Sequence, residues 1–434
     1  MEYNDVTVNE TTKLAMQRIP LRSVAVEVLT GPDAGLRAEG DELTIGTGEG
    51  CAVRLRDPAV SRFHAEHQPC PGGLRVIDHG STNGTFAGAL RLERAIVPPA
   101  TVLRVGDSQL RVGDAAPVEV EIHAGEALGG MLGRSPVIRR VMAQIAKAAQ
   151  SDVSVLVHGE SGTGKELVAR ALHDLGPRRD HPFVTVDCGA LPPGLLASEL
   201  FGHERGAFTG ADRAHVGAFE AAAGGTVFLD EIGELHPSAQ ATLLGVLERR
   251  RVRRLGSRGE LPVDVRVVAA THRDLRAEVN RGGFRLDLFY RLAVVTVALP
   301  PLRERPDDIP LLVEHFLRDA GWDAPVDQLV SPAAMDALAR LHFAGNVREL
   351  RNLVEAAVAM GEPPDLAGPP ASRGEAFATD LALPYKDARA QLLDDFEARY
   401  LEALLARTGG NVSAAARAAR MTRSHLNELL AKRR

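Results

Sequence analysis

One stretch constrains this chain more than any other: Gly159-Glu160-Ser161-Gly162-Thr163-Gly164-Lys165-Glu166. It fits the phosphate-cradling pattern G-x-x-x-x-G-K-[ST] up to its lysine. Val153-Ser154-Val155-Leu156-Val157 precedes it, at buried-strand length, and Leu167-Val168-Ala169-Arg170-Ala171-Leu172 follows as a helical run. Strand, loop and helix in that order separate a nucleotide site from a chance glycine-rich turn. Glycines let the backbone wrap an anion, so that N–H groups and the helix N-terminus face its charge. Lys165 would reach the β- and γ-phosphates of ATP. In the final place Glu166 stands where Ser or Thr would offer a hydroxyl to Mg2+.

A second signature fits the first. Val227-Phe228-Leu229-Asp230-Glu231 is an apolar strand ending in two acids. Asp230 would hold Mg2+, directly or through water, and Glu231 would polarise the attacking water. Around these motifs helical patterns alternate with short apolar runs, which predicts a parallel α/β sheet. The densest basic run, Arg249-Arg250-Arg251-Val252-Arg253-Arg254, follows an amphipathic helix inside this region. It reads as a surface of the domain rather than a nucleic-acid patch.

At 434 residues the chain is too long for one ordinary core. Hydrophobic content of 45% and charged content of 25% suit a soluble globular protein. The net charge of −6 is too balanced to name a partner, so sign has to be read domain by domain. Three cysteines, Cys51, Cys70 and Cys188, with no C-x-x-C, argue against a disulfide framework or zinc site. With no apolar run of membrane length and no visible signal peptide, the expected location is the cytoplasm, without a membrane partner.

Composition and turn signals divide the chain as follows. Residues 1–20 read as a tail, 21–116 as a β-sandwich of short alternating strands, and 117–129 as a linker. Residues 130–362 read as one region of alternating helical patterns and short apolar runs, and 363–384 as a Pro-rich linker. Residues 385–434 read as helices around a tight turn. In that last segment Gly409-Gly410 stops one helix, and Asn411 and Thr422 can cap the next two. Residues 411–434 concentrate positive charge: Arg417, Arg420, Arg423, Lys432, Arg433 and Arg434 against Glu428. That suits the phosphates of double-stranded DNA.

Two motifs in the sandwich, Ser61-Arg62-Phe63-His64 and Ser81-Thr82-Asn83-Gly84-Thr85, resemble those of a forkhead-associated (FHA) domain. The resemblance implies that Ser61, Arg62, Thr82 and Asn83 meet a phosphothreonine peptide, with His64 structural. Thr47 stands after Gly46, where that family usually has arginine; Arg54, Arg56 and Arg62 are candidate substitutes.

Gly206-Ala207-Phe208-Thr209-Gly210-Ala211 matches in full a loop of the sigma-54-dependent transcriptional activators. Glu199–Glu204, Gly224-Gly225-Thr226, Gly345–Asn352 and the P-loop with its Glu166 are similar to that family too. The resemblance implies an AAA+ fold with an α/β core over residues 130–300 and a helical lid over 301–362, a sigma-54 RNA polymerase partner for residues 206–211, and a homo-hexameric ring. It implies arginine fingers Arg285 and Arg291 acting on a neighbour's γ-phosphate, and Arg348 touching nucleotide from the lid. Thr271 and His272 would be sensors, His272 standing where Asn is common. Asp187 would stand where an Asn often restrains the Walker B glutamate. The C-terminal segment resembles a Fis-type helix-turn-helix, in which Thr422, Arg423, Ser424, His425 and Asn427 would reach promoter bases. The expected architecture is therefore multidomain: an all-β FHA-like sandwich, an α/β AAA+ P-loop ATPase with helical lid, and an all-α helix-turn-helix. The expected function is ATP-driven, FHA-regulated activation of transcription. Two alternatives remain open at this point: another AAA+ machine, or a phosphopeptide adaptor with an inactive ATPase.

Overall fold

The computed structural model describes residues 16–364 other than position 71, together with position 421. The helix-turn-helix reading, with Thr422, Arg423, Ser424, His425 and Asn427, lies outside the described residues.

The first part of the chain is all β. It runs through β1 (Met16–Thr30), β2 (Arg37–Gly40), β3 (Leu43–Gly46), β4 (Val53–Arg54), β5 (Ala65–Cys70) and β6 (Gly73–Asp78). It continues through β7 (Thr85–Ala87), β8 (Leu90–Leu92), β9 (Arg94–Val97), β10 (Thr101–Val105) and β11 (Ser108–His123). One sheet has the order β2-β1-β11-β10-β7-β8 and the other β4-β3-β5-β6-β9. Period-2 alternation buries Val24, Val26 and Val28 of β1 against Leu103 and Leu110 of their own sheet and Ile45 and Leu74 of the other.

Two stretches differ from the expected tail and linker. Residues 16–20 and 117–123 are the paired ends of β1 and β11, in register from Met16↔His123 to Thr30↔Gln109. Pro20, Pro117 and Gly113 interrupt the alternation and hide it in the sequence. Cross-strand pairs Ile19↔Val120 and Leu21↔Val118 carry the ribbon. Its end is pinned where Arg139 Nε donates to His123 O at 2.7 Å and Lys147 pairs with Glu121.

A hairpin of β12 (Ala127–Leu128) and β13 (Met131–Leu132), turned by left-handed Gly129 and Gly130, leads into the α/β part. There follow α1 (Pro136–Ala149), β14 (Val155–His158), α2 (Lys165–Asp174), β15 (Phe183–Asp187), α3 (Pro193–Phe201), α4 (Ala218–Ala221) and β16 (Thr226–Asp230). Next come α5 (Pro237–Arg249), the small hairpin β17 (Arg251–Val252) and β18 (Leu261–Pro262), then β19 (Arg266–Thr271), α6 (Leu275–Arg281), α7 (Leu286–Leu292) and β20 (Val295–Ala298). The sheet order is β15-β16-β19-β14-β20, parallel throughout. Helices cover both faces, so β16 and β19 read as unbroken apolar runs. The fully buried Arg266 guanidinium donates to Ala148 O, Ala149 O and Leu172 O. A cation there meets the negative ends of α1 and α2.

The lid is α8 (Ile309–Asp319), α9 (Pro332–Leu338) and α10 (Asn346–Met360). Buried Asp308 ties it to the core. Its carboxylate accepts from Arg134 N and Ser135 N at 2.7 Å and from Ser135 Oγ at 2.9 Å, just before α1.

The sandwich packs on the α/β core through the turn between β4 and β5. Phe63, 4% exposed, joins the core cluster and meets Phe289 edge-on, with ring centroids 5.1 Å apart. Asn280 Nδ2 in α6 donates to Phe63 O at 2.5 Å and His79 O at 3.0 Å. His79 Nδ1 meets Asp274 at 2.6 Å, and Arg276 pairs with Glu66. On a second strip Arg75 pairs with Glu304 at 3.0 Å.

Candidate active site

The carboxyl ends of β14, β16 and β19 converge, which is where open α/β sheets bind their ligands. The P-loop leaves β14 at His158 and turns into α2 at Lys165. Gly162 and Gly164 adopt φ of 77° and 104°, conformations an L side chain would strain. At Gly162 there is also no room, because a Cβ would stand 2.1 Å from Gly345 O of the lid. Lys165 Nζ donates to Gly159 O at 3.1 Å and lies 3.5 Å from Glu231 Oε1. Thr163 Oγ1 donates to Glu160 O at 2.8 Å, while Glu166 is exposed on the first turn of α2.

The lid closes on this loop through the Gly345–Asn352 motif and through Arg303, which motif reading passed over. Asn346, left-handed and buried, donates to Glu160 Oε2 and Ser161 O and accepts from Leu302 N. Arg303 forks onto Glu160 at 2.6 and 2.8 Å. That guanidinium holds the Glu160 carboxyl down at about 2, with Asn346 assisting. Glu160 occupies a wildcard place in the P-loop pattern, and nothing in the sequence marks Arg303 as its partner. Arg348 NH1 donates to Ser161 Oγ at 3.2 Å, so the residue expected to sense nucleotide from the lid stands over the loop.

Asp230 and Glu231 end β16 on opposite electrostatic terms. Burial raises the Asp230 carboxyl, and the neighbouring carboxylates of Glu231 and Asp187 add to the rise. A divalent cation would relieve that crowding of negative charge, so the donor set fits Mg2+ held by one carboxylate and the phosphates. For Glu231 burial also pulls upward, but bonds from His272 and the charge of Lys165 outweigh it, and the group stays below its ordinary value. Glu231 itself is left-handed at φ 49°. Such strain in a non-glycine residue persists only where the surroundings fix it.

The restraint on Glu231 comes from a different residue than the family pattern suggests. Asp187 Oδ1 accepts from Gly189 N at 2.8 Å and Ala190 N at 3.2 Å, closing its own turn. A second carboxylate cannot donate to Glu231. His272 does so instead, from Nδ1 at 2.7 Å and its backbone N at 3.2 Å. Thr271 is buried at the end of β19, and its hydroxyl accepts from Arg273 N.

The expected fingers lie around α7, Arg285 just before its first turn and Arg291 near its end. Arg285 forks onto Asp287 at 2.7 and 3.0 Å, both half exposed, and Arg291 donates to Leu247 O at 3.0 Å. Exposed pairs of this kind hold weakly. Residues 206–211 form a closed turn, with Gly206 N donating to Ala211 O at 2.8 Å and Ala211 N to Phe208 O at 3.0 Å. Phe208 rests edge-on against His203 and is 39% exposed. A Cβ at Gly206 or Gly210 would meet open space, but both sit at positive φ.

In the sandwich, His64 is buried as expected of a structural residue. Its Nδ1 accepts from Ser61 N, and its Nε2 then donates to Gly84 O. That brings the two motifs together: Ser61 Oγ accepts from Thr82 N at 3.0 Å and lies 3.5 Å from Thr82 Oγ1. Asn83 Nδ2 donates to Ala59 O at 2.7 Å beside them, and Arg62 is exposed on the same turn.

Comparison with known proteins matches each of these parts. The model of the sigma-54 interaction domain fits residues 131–298 and that of the AAA+ ATPase lid domain residues 303–367. The FHA domain model fits residues 43–113, and that of the Fis family of bacterial regulatory proteins residues 392–432. The transcriptional regulatory protein ZraR of Salmonella typhimurium is 48% identical over 307 residues, 70% of this chain and 68% of that protein. The chain belongs to the sigma-54-dependent transcriptional activators. The activator is also 35% identical to NtrX of Brucella abortus, solved in complex with ATP, with a TM-score of 0.53 over 71% of this chain and 70% of that one. NtrC of Azospirillum brasilense is 51% identical over 247 residues, 56% of this chain and 51% of that protein. The α/β part of the activator is thus an AAA+ ATPase, carried with an FHA domain and a Fis-type helix-turn-helix. The alternatives of an unrelated AAA+ machine and of an adaptor without ATPase are set aside.

Proposed function

We propose that this activator binds promoter DNA through residues 385–434 and hydrolyses Mg-ATP in a homo-hexameric ring. The ring remodels sigma-54 RNA polymerase into the open complex in the cytoplasm. Lys165 and the P-loop bind the phosphates, Asp230 holds Mg2+, and Glu231 activates water under the restraint of His272. Bound Mg2+ would neutralise charge that develops on the phosphates. Arg285 exchanges Asp287 for a neighbour's γ-phosphate, and Arg291 approaches from the same helix. Arg348 and His272 report nucleotide state to the lid and to β19.

The observation that carries this reading is the turn Gly206–Ala211. It exposes part of an aromatic ring at a place where no core needs it, between glycines that leave room to hinge. Thr209→Ala and Phe208→Ala are expected to keep ATP hydrolysis and melting temperature while losing capture of sigma-54 in the presence of an ATP transition-state analogue. A Phe208→Ala protein that melts early yet still captures sigma-54 would return Phe208 to a packing role.

The FHA domain is proposed to read a threonine-phosphorylated protein through Ser61, Arg62, Thr82 and Asn83, and to pass that signal to the ATPase. Its attachment supports the second half of this reading. Phe63, His79 and Glu66 grip Phe289, Asp274, Asn280 and Arg276, which span the segment between sensor and fingers. A domain fastened there can bias where the fingers point.

A further inference from the structure

An FHA domain that reads phosphate needs a cation beside its hydroxyls, and Thr47 offers none. The backbone around Thr47 is nevertheless latched to the Ser61 turn. Thr47 N donates to Ser61 O at 3.1 Å, Gly48 N to Arg62 O at 3.0 Å, and Cys51 Sγ to Arg62 O at 3.2 Å. The approach is so close that a Cβ at Gly46 would stand 2.0 Å from Arg62 O. The hydroxyls of Ser61 and Thr82 therefore lie across one backbone from Thr47.

The arginines near this turn are not equivalent. Arg56 is committed elsewhere: Nε meets Asp33 Oδ1 at 2.7 Å and NH2 donates to Pro32 O at 3.0 Å. Asp33 is itself held below its ordinary value, first by the bond from the Arg56 backbone and then by that guanidinium, against a rise from burial. Arg62 spends its carbonyl on the latch, and its side chain is exposed, with no bond among the described residues that fixes it against Thr47. Arg54 stands in β4, in register with Gly46 of β3, one residue short of the missing cation. Its Nε donates to Thr47 O at 3.3 Å, and its counter-ion is Glu49 at 3.9 Å, 84% exposed. One neutral bond thus positions the guanidinium while leaving donors to give. Thr47 and Arg54 line a surface cleft of about 830 Å³ whose far side holds the Asp33–Arg56 pair.

We propose that Arg54 supplies the phosphate-binding guanidinium that Thr47 lacks, so that β4 rather than the β3–β4 turn carries the cation for a phosphothreonine side chain. The proposal rests on the phosphopeptide reading of the FHA domain. A guanidinium forks onto a phosphate through paired N–H donors, which a lysine or a hydroxyl cannot reproduce.

The test titrates the full-length protein in a calorimeter with a degenerate peptide library fixed at a central phosphothreonine, and with the same library carrying plain threonine. The wild type is expected to prefer the phosphorylated library. Arg54→Ala should reduce that preference by about tenfold or more, the scale of a hydrogen bond to a charged group. Arg56→Ala should retain it, and both variants should melt as the wild type does. Placing the cation back with Thr47→Arg in the Arg54→Ala background should restore the preference, which a merely structural role for Arg54 would not allow. Undiminished preference in Arg54→Ala overturns this proposal and leaves the phosphopeptide reading standing. A wild type that binds both libraries alike overturns both.

Discussion

Glu231 is held by His272 on one side and faces Lys165 on the other, and that arrangement separates two roles cleanly. Lys165→Ala is expected to abolish nucleotide binding. Glu231→Gln keeps the phosphate cradle intact, so binding should persist while the hydrolysis rate falls by roughly 10²- to 10⁴-fold. Normal turnover in Glu231→Gln, measured by phosphate release, would move the base elsewhere. That Lys165 and Glu231 come together was legible from motif and spacing. The restraint was not, because a sequence names Asp187 and His272 without saying which one faces the glutamate. A second residue-scale prediction concerns His79. Burial alone would push its imidazole down, but Asp274 and Glu66 outweigh burial and the opposing charge of Arg276, raising it to about 9 from an ordinary 6.5. A raised folded value contributes stability that is complete below 6.5 and lost as pH climbs towards 9. Glu66 and Asp274, both near 2 against ordinary values of 4.5 and 3.8, contribute above 4.5 and lose it as pH falls towards 2. The melting temperature should therefore decline between pH 6.5 and 9 in the wild type and flatten over that range in His79→Gln. Identical profiles for the two proteins would remove His79 from the contact.

At the scale of elements, the α/β part was readable because apolar runs and helical spacing both persist there. β14, α2 and β16 follow directly from Val155–Val157, Leu167–Leu172 and Val227–Leu229. The long β1–β11 ribbon was not, since Pro20 and Pro117 read as breakers, and it is the pairing partner that rescues each strand end. The turn between β4 and β5 shows a further limit. Its motif residues Ser61 and His64 read as part of an FHA site, yet Phe63 between them belongs to the core of another domain. No local pattern reports a partner more than two hundred residues away, as Asn280 is from Phe63. Phe63→Ala should destabilise the wild-type contact by about 3–5 kcal/mol, the range for truncating a buried phenylalanine. Protease cleavage between the FHA domain and the ATPase should accelerate in that variant. Unchanged melting and cleavage would show that the Phe63–Phe289 contact does not hold the domains together.

At the scale of the whole molecule, an FHA domain, an AAA+ ATPase and a Fis-type helix-turn-helix follow one another along the chain. The FHA domain grips residues 274–289 of the ATPase, and the Fis family model matches farther along, at residues 392–432. Within one chain Arg285 bonds to Asp287 and Arg291 to the Leu247 carbonyl, which leaves the proposed step across subunits to be supplied by assembly. Composition gave no hint of this, because charge is balanced over the whole and the basic residues of 411–434 are diluted by the rest. The measurement that tests the central claim most directly is open-complex formation on a supercoiled sigma-54 promoter, followed by strand reactivity with purified polymerase. The wild-type activator with ATP should open the promoter, whereas Glu231→Gln with ATP, and the wild type without nucleotide, should leave it closed. Opening that proceeds equally without ATP, or equally with Glu231→Gln, would contradict an activator driven by hydrolysis at this site.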